Sequence, residues 1–422
     1  MVTALALVLG QAIPFANVEV FPSSLPGFQP CEPSVAVSRT DPHVVVAGAI
    51  LDNVAVSNDG GMTWKLSKLK SEYGVFGDPS IISDYKGDFY YLHLANPPKP
   101  GQWLERIVCQ KSTDQGKSFS TSAGVGYNLP KNQDKQWPAV HPTKPTVAVS
   151  WTQFDKYGAK EPEYRANIMF SLSSDGGKIW TKAVQVNDVS GDCLDGDMTP
   201  EGAVPAIGRD GAVNVVWAFD GKLWFDRSVD NGKTWLAHDR MVVAQGGGWD
   251  MEIPGVGRAN GMPVTVVDNS GGKNDGTIYV LYGDQLKGAH DSDVWLVRST
   301  DKGATWSPPL RVNMDLPGAH QFFPWLTIDQ STGNLYAVYY DRRGFSGMDT
   351  NVYVAWSLDG GVSFQERRVN REVIDMKPKG FFGDYNNISA SKGRIVPIWT
   401  GVKGGKTSVW VAPLTLSELT KG

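Results

Sequence analysis

The most reactive side chains of this sequence recur at corresponding places in a series of similar segments. Just ahead of an alternating apolar stretch stand Glu32, Asp78, Asp134 with Lys135 and Trp137, Asp197 with Glu201, Arg258 with Asn260, His320 with Gln321, and Asp384 with Tyr385. Further along each segment a second set supplies Asp52, Asp155, Asp220, Asp284 and the run Asp341-Arg342-Arg343. Carboxylates of this kind serve as general acid and base, and nearby cations decide which of them keeps a proton. Gathered in one place, they make a polar pocket suited to a hydroxyl-rich ligand such as a sugar. Trp103, Trp137, Trp249, Phe322, Phe323, Phe381 and Tyr385 are near them in the chain and can stack on pyranose faces. Taken singly, each acid is also explained by capping a strand end, and each aromatic by packing.

What must hold these residues together is a repeat. Six boxes share Ser-x-Asp-x-Gly-x-(Thr/Ser/Ile)-(Trp/Phe): "SNDGGMTW" at 57, "STDQGKSF" at 112, "SSDGGKIW" at 173, "SVDNGKTW" at 228, "STDKGATW" at 299 and "SLDGGVSF" at 357. Their aspartates are 55 to 71 residues apart, a spacing typical of propellers and solenoids in a chain rich in strands and turns. Ahead of each box stand two apolar strands joined by a polar turn, as in "WPAVHPTKPTVAVSWT" and "FFPWLTIDQSTGNLYAVYY". A seventh copy, "DYNNISASKGRIVPIWTG" at 384–401, is followed by one more strand, "TSVWVAPL", and no box. It has three strands where the others have four, and "NVEVF" at 17–21 is the spare. The sequence therefore predicts an all-β propeller of seven four-stranded blades (six being the alternative) in a single domain, 13–422. The N-terminal strand would close the ring and leave no free edge. Each box is expected between strands three and four. There Ser and Asp accept backbone amides, Gly supplies a positive φ, and the closing aromatic packs between blades.

These boxes resemble the Asp boxes, or bacterial neuraminidase repeats, of the sialidase superfamily. Wording such as "GAHQFFPWLTID", "YYDRRG" and "FFGDYNNISA" is similar to secreted bacterial sialidase-like glycosyl hydrolases. The resemblance implies a propeller with its boxes on the face away from the active site. It also implies a sialidase-type mechanism: Tyr385 as nucleophile, Glu201 as its base, Asp78 as acid/base, and Arg258 with Arg342 or Arg343 as carboxylate ligands. A sialic acid's anomeric carbon lies beside a carboxylate, which repels an anionic nucleophile and favours a tyrosine. One departure stands out. Where sialidases carry the first of three arginines, this chain reads "CEPSVAV", with Glu32 in place of the cation. Two other readings remain open. One is a uronate polysaccharide lyase with Tyr385 or His320 as base and Arg258 or Lys135 neutralising the uronate. The other is a non-catalytic propeller that binds glycan or protein.

Bulk composition narrows the partners. A net charge of −4 gives no case for nucleic acid or an anionic membrane, and no segment approaches membrane-spanning length. The apolar start "MVTALALVLGQA", with small residues Gly10 and Ala12, reads as a signal-peptide remnant (1–12) or a short apolar strand. Together with the resemblance, it points to a secreted, periplasmic or cell-surface protein. Cys31, Cys109 and Cys193 allow one bridge with a spare thiol, or three buried thiols. No cofactor or metal motif is present. The acidic stretch 187–202 (Asp188, Asp192, Asp195, Asp197, Glu201) reads as an oxygen-rich place for a structural calcium or as a solvated loop.

Overall fold

A computed structural model describes residues 14–421, so the signal-peptide reading of 1–12 lies outside the described residues. Each repeat forms an antiparallel four-stranded sheet. The inner strands are Ser34–Val37, Gly77–Ser83, Asn132–Val140, Glu201–Ile207, Val264–Val267, Gln321–Asp329 and Asn387–Ser391. Each packs on the next and the last returns to the first, so the seven sheets form a closed ring. The protein is a seven-bladed β-propeller.

Side-chain size broadly follows distance from the axis, with Trp137 and Trp325 on inner strands as exceptions. Inner strands carry small residues where blades crowd together, including Ala36, Ala139, Ala206 and Ala390, all buried. The second strands Phe89–Leu94, Val147–Phe154, Val213–Phe219 and Ile278–Asp284 are buried along their whole length between neighbouring blades. They hold many of the largest fully buried side chains, among them Tyr90, Trp151, Trp217 and Tyr279. Being covered on both faces, these strands read as nearly continuous apolar runs. The outermost strand of blade one, Lys65–Lys68, is exposed throughout.

The ring closes as the sequence predicts. Val18–Phe21 pairs antiparallel with Lys406–Val411, setting Val18 opposite Val411 and Glu19 opposite Trp410. It completes the sheet begun by Asn387–Ser391 and Arg394–Lys403.

The box turns have one geometry, seen clearly in blade four. The buried Ser228 hydroxyl accepts the Gly232 amide at 2.9 Å and donates to Asp230 at 2.8 Å. Asp230 accepts the amides of Lys233 and Thr234 and the Thr234 hydroxyl, at 3.0, 2.9 and 2.7 Å. Gly232, at φ 78°, sits so close to blade three that a Cβ would lie 2.1 Å from the Phe170 ring. Trp235 then packs edge-on against Phe170, with ring centroids 5.1 Å apart. The box is thus a turn and an inter-blade clamp at once.

Two features were not foreseen. A hairpin, Asp250–Ile253 with Val256–Asn260, is inserted between blades four and five. A short helix, Leu416–Thr420, follows the last blade and is capped by Thr415 and Glu418. All three cysteines are buried and unbridged. Among the described residues no helix is long and apolar enough to cross a membrane.

Candidate functional site

Antiparallel order fixes which loops share a rim. Inner strands start on one face, strand two returns to it, and the turn between strands three and four falls on the other. The boxes therefore occupy the opposite rim from Glu32, Asp78, Asp134, Glu201 and Asp384.

On the first rim the inner strands begin with a repeated irregularity. Register shifts fall at Gly77/Ser80, Asp134/Trp137, Glu201/Val204 and Phe322/Trp325. At or beside them, Asp78, Lys135 and Phe323 adopt φ of 50°, 56° and 49°, and Glu32 in blade one adopts 51°. A left-handed non-glycine residue at a bulge is strained by roughly 1 kcal/mol or more, and such bulges re-aim side chains near active sites. Lys135 shows the result. It starts in blade three and reaches Asp384 of blade seven, with Nζ 2.8 Å from Oδ2. Gly383 lets Glu32 come close, since a Cβ there would lie 2.7 Å from Glu32 Cγ.

The outcome is one buried cluster drawn from blades one, two, three, four and seven. Glu32, Asp134, Lys135, Glu201, Asp384 and Tyr385 are all buried. Arg258, on the inserted hairpin, covers them, its Nη2 lying 2.6 Å from Asp195 and 3.3 Å from Asp384. Asp195 also accepts the Tyr157 hydroxyl at 2.6 Å, and Thr152 donates to Glu201 at 3.2 Å. Asn260 holds the Asp384 carbonyl at 2.7 Å.

Charge is distributed unevenly over these acids. Burial alone would raise Asp384, but Lys135, a hydrogen bond from Glu32 and Arg258 together hold it well below the usual range. Burial, reinforced by Asp384 and Asp78, pushes Glu32 well up, toward its neutral form. Asp78 is pushed up to about 8 by burial and by Asp134, against the pull of Lys135. Burial and Asp195 raise Glu201, and burial raises Asp134 despite Lys135. Burial favours a neutral Lys135, yet Asp384 outweighs it and keeps the ammonium charged.

Tyr385 is buried with its hydroxyl unpartnered. Burial raises its pKa far above the ordinary phenol value, and the acids acting most on it are Glu32, Asp78 and Asp384. Glu201, expected to be its base, is not among the principal groups. Asp195 Oδ1, Glu201 Oε1 and Asp384 Oδ1 are likewise buried without a protein partner, which leaves hydrogen-bonding capacity for a ligand.

Beneath the cluster, Tyr385 packs edge-on against Trp137 at 5.0 Å, and Trp137 meets Trp325 at 4.4 Å. These rings plug the axis. On the far side of the plug a channel of about 420 Å³ runs down the inner strands toward the box rim.

Several expected residues lie elsewhere. Arg343 is committed to Asp341 (2.6 Å) and to Glu366, so it is not free to clamp a ligand's carboxylate. Arg342 is buried against the Phe322 ring and bonds Thr350 at 3.2 Å. His320 bonds Ser292 at 3.0 Å, and Gln321 joins Asn313 and Asp315. Arg258 belongs to the inserted hairpin rather than to the start of an inner strand. Asp52, Asp155, Asp220, Asp284 and Asp341 serve nearby lysines, arginines or amides. Of the aromatics, Phe381 lies beneath Arg258, Trp249 is buried, and Phe322 stacks on Tyr340. Phe323 is stacked with Phe382, and Trp103 contacts Phe76 and Tyr157.

The acidic stretch 187–202 does not converge on a point. Asp188 faces Asp239, Asp192 takes Thr199, Asp195 takes Tyr157 and Arg258, and Asp197 takes the Asp250 amide. Among the described residues no group of three or more His, Cys, Asp or Glu is arranged to hold a metal ion. Tyr157 and the role of Asp195 were not anticipated. Their only sequence signal was the density of acids around Asp195.

No protein-family model matches this sequence, and no curated protein matches it. Solved structures do. The chain is similar to an α-L-arabinofuranosidase from Fusarium graminearum in complex with an iminosugar inhibitor (15% identity, 96% of this chain and 99% of that one, TM-score 0.51). It is similar to a Hadza microbial sialidase (13% identity, 89% and 74%, TM-score 0.51). A protein of unknown function from Dyadobacter fermentans aligns over 94% and 97%, at 13% identity and TM-score 0.51. At such identities the likeness establishes the fold alone, a β-propeller.

Proposed function

We propose that the protein is a glycoside hydrolase acting on a hydroxyl-rich glycan, with Asp78 as general acid and Asp384 as the ionised carboxylate. What supports this most is the opposed direction in which their surroundings drive the two acids: burial and Asp134 push half-buried Asp78 up to about 8, while Lys135 and Arg258 hold buried Asp384 well below the usual range. Paired carboxyl groups whose environments drive their pKa values apart are the usual signature of acid and base roles. Asp78, protonated at neutral pH, would give its proton to the leaving glycosidic oxygen. Asp384, held ionised by Lys135 and Arg258, would stabilise positive charge developing at the anomeric carbon, to which water then adds while its proton returns to the Asp78 carboxylate. Tyr385, raised by burial, would remain a neutral hydrogen-bond donor.

Electrostatics favour a neutral glycan over a sialoside or uronate. The two cations of the cluster, Lys135 and Arg258, are both already paired with Asp384, and Arg258 also with Asp195, so neither is free to clamp a ligand's carboxylate. Arg343 is spent on Asp341 and Glu366, and Arg342 lies against the Phe322 ring of its own blade. The solved structures named above include an arabinofuranosidase and a sialidase, which fits glycan chemistry on this scaffold. A glycan substrate fits a location in the periplasm, at the cell surface or outside the cell. The test is a panel of aryl glycosides covering neutral pentosides, hexosides and a sialoside, run with wild type and Asp78→Asn. Release from a neutral glycoside that is lost in the variant supports the proposal. Release from the sialoside alone would return Tyr385 to the nucleophile's role, and binding without turnover would leave a glycan-binding module.

A further inference from the structure

The axial channel on the far side of the aromatic plug differs from the acidic cluster in every respect that matters for a ligand. Its walls are the inner strands, its floor is Trp137 and Trp325, and it encloses about 420 Å³. Among the described residues its lining contains Arg39, Arg209 and Lys392 and no carboxylate. In a protein with more acids than bases, an acid-free cavity with three cations is a departure from the average surface.

The cations are not equivalent. Lys392 is exposed and bonds the Thr40 carbonyl at 2.7 Å. Arg209 bonds the Asn269 carbonyl and is 3.8 Å from Asp275. Half-buried Arg39 makes no side-chain hydrogen bond or ion pair among the described residues. Burial lowers its pKa, and Asp84 is the acid that opposes the shift. An arginine drawn into a channel without a partner carries a desolvation cost that an anion would relieve. Along the same walls the Ser80 and Thr265 hydroxyls are buried and unpartnered among the described residues. Hydroxyls can donate to an anion, and buried groups of this kind ordinarily find a partner.

We infer that the axial channel is a second ligand site that takes an oxyanion, with Arg39 as its principal cation and Ser80 and Thr265 as wall donors. The volume admits either a free ion or the anionic group of a small sugar ester. The site stands apart from the acidic cluster, whose two cations are already paired with Asp384, and it does not depend on the proposed reaction.

Calorimetric titration of the whole protein with inorganic sulfate and with glucose 6-sulfate, against chloride and glucose, tests this. Saturable binding of sulfate or its ester, absent for glucose and chloride, is expected. Tighter binding of the ester would identify the source as an esterified sugar, and equal binding a free ion. Arg39→Gln should weaken binding by about tenfold or more, as loss of a charge-assisted hydrogen bond does. Thr265→Val, nearly isosteric, should weaken it by less, while Asp78→Asn, across the plug, should leave it intact. A melting curve for each variant separates lost binding from lost fold. Absence of saturable binding, or unchanged affinity in both Arg39→Gln and Thr265→Val, would overturn the inference.

Discussion

Asp230 and Asp78 are the same side chain on opposite rims of one ring, and their protons behave in opposite ways. In the box, the amide and hydroxyl of Thr234, with Ser228 and Lys233, hold Asp230 at about 2. In the cluster, burial and Asp134 push Asp78 up to about 8. The box supplies amide and hydroxyl donors to a carboxylate that stays in water. The cluster removes water and supplies other acids. One arrangement makes an acid a structural fastener, the other makes it a proton carrier, and the difference lies in the surroundings alone.

The widest separation between the rims should appear in catalysis. Asp78→Asn is expected to lower kcat/KM on the responsive aryl glycoside by roughly 10²–10⁴-fold, as removal of a general acid does. Ser228→Ala in the box should leave kcat/KM unchanged. Comparable losses in both variants would erase the distinction.

Next in size is the pH dependence. With Asp78 titrating at about 8, kcat/KM should fall as pH rises through that value, and the alkaline limb should vanish from the residual activity of Asp78→Asn. Arg258→Ala should move the acid limb to higher pH, because Asp384 would keep only Lys135 as its cation. A limb unmoved by Arg258→Ala would exclude Asp384 as the ionised group.

Stability should divide the rims in the opposite sense. Ser228→Ala removes two hydrogen bonds from a buried hydroxyl and is expected to cost about 1–2 kcal/mol, read from denaturant or thermal unfolding. Asp230 is ordinarily a group of pKa 3.8 and sits at about 2 in the fold, so its stabilisation is present above pH 3.8 and fades as pH falls through 2. Asp78 has the reverse sign. The folded state holds its proton more tightly than the unfolded chain, so stability is full below pH 3.8 and drains away as pH rises through 8. Asp78→Asn should therefore melt higher than wild type above pH 8, where Ser228→Ala melts lower. Equal melting of Asp78→Asn and wild type at that pH would show that Asp78 is not a strained buried acid.

Much of the fold was legible in the sequence. Box, strand pair and spacing repeat often enough to count seven units, and "NVEVF" had only one sheet to complete. The rim was legible too, since inner-strand starts bring Glu32, Asp78, Asp134 and Asp384 to the same face. Which of them touch was not. Lys135 to Asp384 joins residues 249 positions apart, and no repeat specifies a contact across the ring. The inserted hairpin carrying Arg258 breaks the period, so its side chain was assigned to an inner strand. Arg343 looked as available as Arg258, because a guanidinium's partners are a matter of packing.

The sequence by itself determined the repeat, the number of blades, the ring closure and the rim on which the acids gather. These depend on local periodicity and turn chemistry, which each unit carries within its own sixty or so residues. Tertiary structure alone decided which acids are driven toward protonation, which arginines are spent and where the axis turns from an acidic rim to a basic channel. Protonation depends on desolvation and on charges a few ångströms away through space. Closing the ring creates both at once, from residues the chain keeps far apart.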